Sequence, residues 1–307
     1  MINPGSCFRQ LAAITLLAMI LVIPSGGGAS AKEVSLSQNG IKLNAELVMA
    51  DDKKMSDGVV LILHGTLAHN RMEIIKTMQS LLAERGRNSL AINLGLGLND
   101  RAGMYDCKVP ITGLNTDALD EIGLWLNWLK SQGAKDITLM GHSRGGNQVA
   151  WFAAERPDRA VTKLVLLAPA TWNKEAAKKT YNRRFGFDAD VVLAKAEKLV
   201  ADGKGNQMLE KTGVVYCRDV QSTAAAFVSY HKPDQRLDTP SLLPKISVPI
   251  LVIAGEKDDV VEGLIEAVKP MVDGDKVSLT VVDGADHYFL DFAAEDAADA
   301  VDEFLGN

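Results

Sequence analysis

The sequence predicts an α/β chain: a mostly parallel central sheet, helices on both of its faces, and one helical insertion. Three observations carry that expectation. Short apolar runs alternate with amphipathic stretches from residue 59 to residue 168, the pattern of strand–helix–strand crossovers that builds a parallel sheet. A Gly141-x-Ser143-x-Gly145 pentapeptide sits where one apolar run hands over to a helix. A polar, helical stretch breaks the alternation at residue 172, and strands resume at Pro249.

The 307 residues carry a formal charge of −6. Arg9, the apolar run from Leu11 to Ile23 and the small-x-small triplet Ala29-Ser30-Ala31 form a secretory signal peptide pattern, with cleavage after Ala31. A retained anchor is the weaker reading, because Pro24-Ser25-Gly26-Gly27-Gly28 breaks the helix before it can span a bilayer. Cys7 precedes the apolar run and is not placed for lipid attachment. The mature chain, 32–307, is expected to be periplasmic or secreted, with no stable membrane span. Its mild acidity gives no sign of a nucleic-acid partner.

The elements follow in order. Val34, Leu36, Ile41, Leu43, Ala45 and Leu47 alternate around Asn39-Gly40 and predict an opening hairpin over 32–50. Val59 to Leu63 is an unbroken apolar run, as a strand covered on both faces requires, and it ends in His64-Gly65-Thr66. Arg71 to Arg85 is a helix with Ile74, Ile75, Met78, Leu81 and Leu82 on one face and Gly86 as its stop. Ser89 to Leu94 is a strand, followed by a long loop holding Gly95, Gly97 and Gly103. Leu114 to Ser131 is a helix with Ile122, Trp125, Leu126 and Leu129 aligned. Ile137 to Met140 is the strand before Ser143, Asn147 to Ala154 the helix after it, and Lys163 to Leu167 the next strand. After the interruption come a strand over Ile250 to Ala254, a short helix over Leu264 to Met271, a strand over Val277 to Val282 and a closing helix from Phe292 to Leu305.

The interrupting segment, 172–243, holds 12 Lys and Arg against 9 Asp and Glu and shows little strand pattern. It reads as a helical lid between two halves of a core, 32–171 and 244–307. Lys174, Lys178, Lys179, Arg183 and Arg184 are its densest basic cluster. A solvated helix face is the simpler account of the cluster; attraction of an anionic substrate or lipid headgroup is the functional one.

The chemistry centres on Ser143. A bare Gly-x-Ser-x-Gly is compatible with an ordinary turn before a helix. The apolar strand before it and helix after it are the context a nucleophile elbow needs. A serine hydroxyl is a weak nucleophile and requires a base, which in turn requires an orienting acid. Of five histidines, His142 lies inside the elbow and is expected to point elsewhere than its neighbour serine, His64 and His69 follow an early strand, and His231 lies in the insertion. Only His287 follows the last strand in a loop able to reach the elbow. Asp258, three residues past Gly255 at the preceding strand end, is the acid, with Asp259 as the alternative.

Ser143, Asp258 and His287, in that order and each at a strand end, resemble the α/β-hydrolase superfamily. The motifs that carry the resemblance are Leu63-His64-Gly65, Gly141-His142-Ser143-Arg144-Gly145, Gly255-x-x-Asp258 and Gly284-x-x-His287. They cover 58–307 less the insertion. The resemblance implies the α/β-hydrolase fold and a serine nucleophile, and it implies an oxyanion hole made by the backbone N–H groups of Arg144 and Thr66, with Leu67 in place of Thr66 as the alternative. His64 is then a brace for that loop rather than a proton carrier. A serine nucleophile disfavours the aspartate-dependent haloalkane and epoxide chemistries. No cofactor and no metal are implied: the histidines lack paired ligand spacing, and no phosphate or dinucleotide fingerprint is present.

After cleavage two cysteines remain, Cys107 in the glycine-rich loop and Cys217 in the insertion. An even count in an oxidising compartment suggests a bond, and both loops lie over the same sheet edge, so a Cys107–Cys217 disulfide is expected. The sequence therefore reads as an exported serine hydrolase, a carboxylesterase acting on a small-molecule or lipid-like ester. An amidase or peptidase with the same triad, and a non-catalytic binding protein on this scaffold, are the alternatives. The motifs do not specify the substrate.

Overall fold

The computed structural model describes residues 30–38 and 40–306. The predicted signal peptide lies outside these residues except for Ser30 and Ala31, and so does Asn39 of the predicted turn. The first half of the chain gives β1 (Ser30–Gln38), β2 (Ile41–Met49), β3 (Val59–Leu63), α1 (Glu73–Glu84), β4 (Asn88–Asn93), α2 (Asp117–Ser131), β5 (Ile137–His142), α3 (Arg144–Glu155) and β6 (Val161–Leu167). Between β6 and the next long strand come α4 (Lys174–Phe185), α5 (Ala189–Ala201), β7 (Met208–Leu209), β8 (Ser222–Thr223), α6 (Ala224–His231) and α7 (Thr239–Leu242). The chain closes with β9 (Ile250–Gly255), α8 (Leu264–Val268), β10 (Val277–Val282) and α9 (Phe292–Leu305).

Eight strands form one sheet in the order β1-β2-β4-β3-β5-β6-β9-β10. The β1–β2 and β2–β4 pairs are antiparallel and the other pairs parallel. This is the mostly parallel sheet of the α/β-hydrolase fold. Successive residues of β3 serve opposite faces. Val59, Leu61 and Leu63 join the layer built with Ile122, Trp125 and Leu126 of α2 and Val149 and Phe152 of α3. Val60 and Ile62 join Ile74, Ile75, Met78 and Leu82 of α1 and Ala294, Ala297, Ala298 and Val301 of α9. All five β3 residues are buried. Full burial of each such aliphatic side chain contributes about 1.5–3 kcal/mol, so the run needs no polar face.

Local chemistry moves some boundaries. The helix expected from Leu114 starts at Asp117, because the Asp117 carboxylate accepts the Leu114 N–H (2.7 Å) and holds the preceding residues in a turn. The elbow strand continues through Gly141 and His142, and α3 opens at Arg144 rather than Asn147. The segment between β6 and β9 is mainly helical, but it also contains the short β7–β8 ladder. It has its own apolar centre, Tyr181, Phe185, Val214, Val220 and Phe227, shared with Leu67, Tyr105 and Ile111 from the loops after β3 and β4. On α4, Lys178 pairs with Asp190, and Lys174, Lys179 and Arg183 are exposed. No helix among the described residues is long and apolar enough to cross a membrane.

Candidate active site

Chain direction reverses its course across the sheet at β3: β4 lies on one side and β5 on the other. In an open parallel sheet the crevice at such a point, beyond the carboxyl ends of the strands, is where ligands bind. His64 to Leu67 follow β3 and Ser143 follows β5, so both face that crevice.

Ser143 has φ 56° and ψ −123°, a region rarely occupied by residues with a Cβ. Such strain costs about 1–3 kcal/mol and is held by the surroundings. Its N–H donates to the Leu167 carbonyl (2.9 Å) and its carbonyl accepts from Ala170 N–H (3.0 Å). The glycines around it are a packing necessity. A Cβ on Gly141 would collide with the Gly145 carbonyl, and one on Gly145 with the His64 carbonyl. The Ser143 hydroxyl makes no hydrogen bond among the described residues.

The loop after β3 is braced by His64. Its Nδ1–H donates to the Gly65 carbonyl (2.9 Å), and Nε2 accepts from Leu94 N–H (3.1 Å) and Arg101 Nη2 (3.2 Å). Burial, then the Arg101 charge, lowers its pKa to about 3, so the ring is neutral. A Cβ on Gly65 would lie 3.3 Å from Ser143 Cβ, which places this loop against the serine. Leu67 takes φ 55° and its carbonyl accepts from Tyr105 N–H (2.9 Å). The Thr66 and Leu67 N–H groups enter no hydrogen bond among the described residues.

Asp258 and His287 meet directly. His287 Nδ1–H donates to Asp258 Oδ2 (2.8 Å), and both side chains are buried. The other oxygen, Oδ1, accepts from Val260 and Val261 N–H (2.8 and 2.9 Å). Burial pushes the Asp258 pKa up, but the His287 bond and these N–H groups outweigh it and hold the carboxyl below its ordinary value. With Nδ1 donating, the neutral imidazole keeps its lone pair on Nε2. Asp259, the alternative acid, is exposed and makes no such contact. His142 is directed at the loop of His287, and no hydrogen bond joins it to Ser143 among the described residues. Its Nε2–H donates to the His287 carbonyl (2.9 Å), and the two rings are 4.8 Å apart.

Several neighbours carry no legible signal in the sequence. Arg101, 6% exposed, ties together the loop after β4 by donating to the Leu94 and Gly103 carbonyls and to Asn93 Oδ1. Glu121 accepts from Gly95 N–H (2.9 Å), and burial raises its pKa to about 7. Arg144 is partly buried. Its Nε donates to Thr66 Oγ1 (3.1 Å) and its Nη1 to Asn115 Oδ1 (3.3 Å). Spacing could not have found these side-chain contacts: Arg101 sits in a loop without periodicity, and although Glu121 lies in α2 and Arg144 opens α3, each is paired with a residue of a distant loop. Cys107 and Cys217 lie at disulfide distance, their Cα atoms 5.1 Å apart. Among the described residues no three His, Cys, Asp or Glu side chains gather as a metal site would require.

Residues 59–303 match the model of the Alpha/beta hydrolase family. Among solved structures, the chain is similar to Est1E from Butyrivibrio proteoclasticus, with a TM-score of 0.63 and 22% identity over 91% of this chain and 97% of that one. It is also similar to the esterase Pf2001 from Pyrococcus furiosus, with a TM-score of 0.56 and 20% identity over 90% of each chain. At these identities the likeness is one of fold.

Proposed function

The chain belongs to the alpha/beta hydrolase family, and from that premise we propose that it is an exported serine hydrolase that cleaves carboxylic esters through Ser143, His287 and Asp258. The observation that carries this reading is the 2.8 Å Asp258–His287 pair, whose loop is tied through His142 to the strand that ends in a serine held at positive φ. Catalytic hydrogen bonds in ligand-free enzymes are often long and tighten with substrate, so the free Ser143 hydroxyl is compatible with it.

In the proposed reaction His287 Nε2 takes the hydroxyl proton as Ser143 Oγ attacks the ester carbonyl. Asp258 fixes the tautomer and stabilises the imidazolium. The N–H groups of Arg144 and of Thr66 or Leu67 receive the oxyanion, and their lack of partners among the described residues fits that role. His287 returns the proton to the leaving alcohol, and water then releases the acyl group by the same steps. Residues 172–243 act as a lid whose apolar centre packs on the loops that frame the site. The likeness in fold to the Pyrococcus furiosus esterase supports ester over amide substrates. Export by residues 1–31 is part of the same proposal, and a disulfide-distance pair fits an oxidising compartment.

Short- and medium-chain p-nitrophenyl esters, a matched anilide and a fluorophosphonate probe test the reading on the wild type and on Ser143→Ala. Ester turnover and labelling that vanish in the variant are expected. A folded wild type that neither labels nor turns over would favour the non-catalytic alternative, and faster anilide than ester cleavage the amidase.

A further inference from the structure

Beside the serine lies a cation with no counter-ion. The Arg144 guanidinium is met by Thr66 Oγ1, by Asn115 Oδ1 and by the Tyr230 ring, its Cζ 5.7 Å from the ring centroid. Among the described residues no Asp or Glu oxygen lies within 4.0 Å of it. His231, which feels the Arg144 charge, is neutral, since burial and then that charge lower the histidine pKa to about 3. Burial also draws the Arg144 pKa down, with only Tyr230 and Tyr216 opposing. A partly buried charge met by neutral partners and by no counter-ion is one that a ligand anion can complete.

A second donor stands next to it. Asn115 is 1% exposed, and its Nδ2 has no hydrogen-bond partner among the described residues. The amide orientation is fixed by chemistry: Arg144 can only donate, so the Asn115 oxygen must face it. That oxygen also accepts from Gln148 Nε2 (3.2 Å). The donating face of the amide is left over, beside a guanidinium with donors to spare.

We propose that Arg144 and Asn115 form a carboxylate-binding subsite, and that the preferred substrates are hemi-esters of dicarboxylic acids. The inference rests on the serine-hydrolase reading. A planar carboxylate is the anion that a guanidinium fork and an amide N–H match. The subsite lies on the acyl side. Ser143 stands at the end of β5, with Thr66 after β3 on one side and His287 after β10 on the other. The leaving oxygen must lie against His287 to be protonated, and the Arg144 side chain reaches the opposite way, to Thr66 and Asn115. The charge distribution of the overlying segment agrees. Arg184 and Arg218 there donate to the backbone carbonyls of Val215 and Arg184, not to carboxylates.

The test compares kcat/KM for mono-p-nitrophenyl glutarate and the neutral ester of the same chain length, p-nitrophenyl pentanoate, at neutral pH. A charge-assisted pair predicts a preference of about tenfold or more for the glutarate. Arg144→Gln should bring that ratio to about one or below, as should Asn115→Asp, which places a carboxylate on the guanidinium without removing it. Using two variants guards against one failing to fold. A wild type that labels with fluorophosphonate and cleaves the pentanoate as fast as the glutarate overturns the subsite and leaves the hydrolase reading standing. Preference retained in both folded variants, or activity lost at an unchanged ratio, also overturns it, since a structural brace would behave that way. No labelling and no turnover removes the hydrolase reading itself.

Discussion

The His142 ring donates from Nε2 to the main-chain oxygen of His287 at 2.9 Å, so the residue before the nucleophile holds the loop of the base. Burial, then His287, lowers the His142 pKa to about 4, which keeps the ring neutral near pH 7. His142→Phe removes the donor and leaves a buried carbonyl unpaired. We expect a fall of up to about a hundredfold in kcat with KM little changed, because the loss is one of alignment. His142→Gln, which can still donate, should recover part of it. Steady-state kinetics on one p-nitrophenyl ester decides, and an unchanged kcat in the Phe variant would remove the positioning role.

The acid can be assigned by a pair of variants. Asp258→Asn keeps the shape but no longer favours the Nδ1–H tautomer, and kcat should drop by about 10⁴-fold. Asp259→Asn should stay near wild type, because Asp259 is exposed and away from the imidazole. Equal losses in the two would mean that the loop rearranges in solution.

These two cases mark how far the sequence can be read. Val59 to Leu63 announces a strand covered on both faces, because nothing polar interrupts it, and the elbow glycines announce a crowded turn. His287 follows from topology: only a loop after the last strand reaches back to β5. The bond from His142 is not legible, because a side chain's direction at a strand end depends on a partner 145 residues away. The two-residue β7–β8 ladder is illegible for another reason: it is too short to show a period. Arg101 and Asn115 sit in loops where neither spacing nor composition marks them.

Reducing Cys107–Cys217 should destabilise the fold. The bond closes a loop with a sequence separation of 110. Loop entropy gives about 4–5 kcal/mol for a loop of that length, and measured cases fall nearer 2–4. At about 2–4 °C per kcal/mol for a chain of this size, a Cys107→Ser, Cys217→Ser protein should melt several degrees lower. Peptide mapping without reductant that finds two free thiols would sink both the bond and this shift.

Three neutral histidines, His64 and His142 buried and His231 partly so, should make stability pH-dependent. The pKa is about 3 for His64 and His231 and about 4 for His142, against 6.5 when unfolded. Between those values the unfolded chain binds more protons, so stability rises with pH there, is complete above 6.5, and is lost as pH falls toward 4. Each histidine contributes at most about 1.4 kcal/mol per pH unit. Glu121 acts the other way. Burial raises its pKa from 4.5 to about 7, so its contribution is full below 4.5 and fades as pH rises to 7. It cancels about one histidine, leaving a net loss on acidification. Thermal melts from pH 7.5 to 4.5 should show a steep fall in Tm, shallower in His64→Gln. A flat profile would mean that these rings are hydrated in solution.

The elbow allows no methyl group at two of its positions. A Cβ at Gly141 would sit on the Gly145 carbonyl, and one at Gly145 on the His64 carbonyl; both obstacles are backbone. Relief would require moving β5 away from α3, or the loop after β3 away from the elbow, and either shift displaces Ser143 from the proposed oxyanion donors. Gly141→Ala and Gly145→Ala should therefore fold poorly or, where folded, label slowly with fluorophosphonate. Gly123 offers the control. It lies inside α2, and a Cβ there would meet only the Phe152 ring at 3.6 Å, an ordinary contact. Gly123→Ala should gain about 0.5–1 kcal/mol from helix propensity and keep full labelling. If all three alanines behaved alike, crowding at the elbow would not be what holds Ser143 at positive φ.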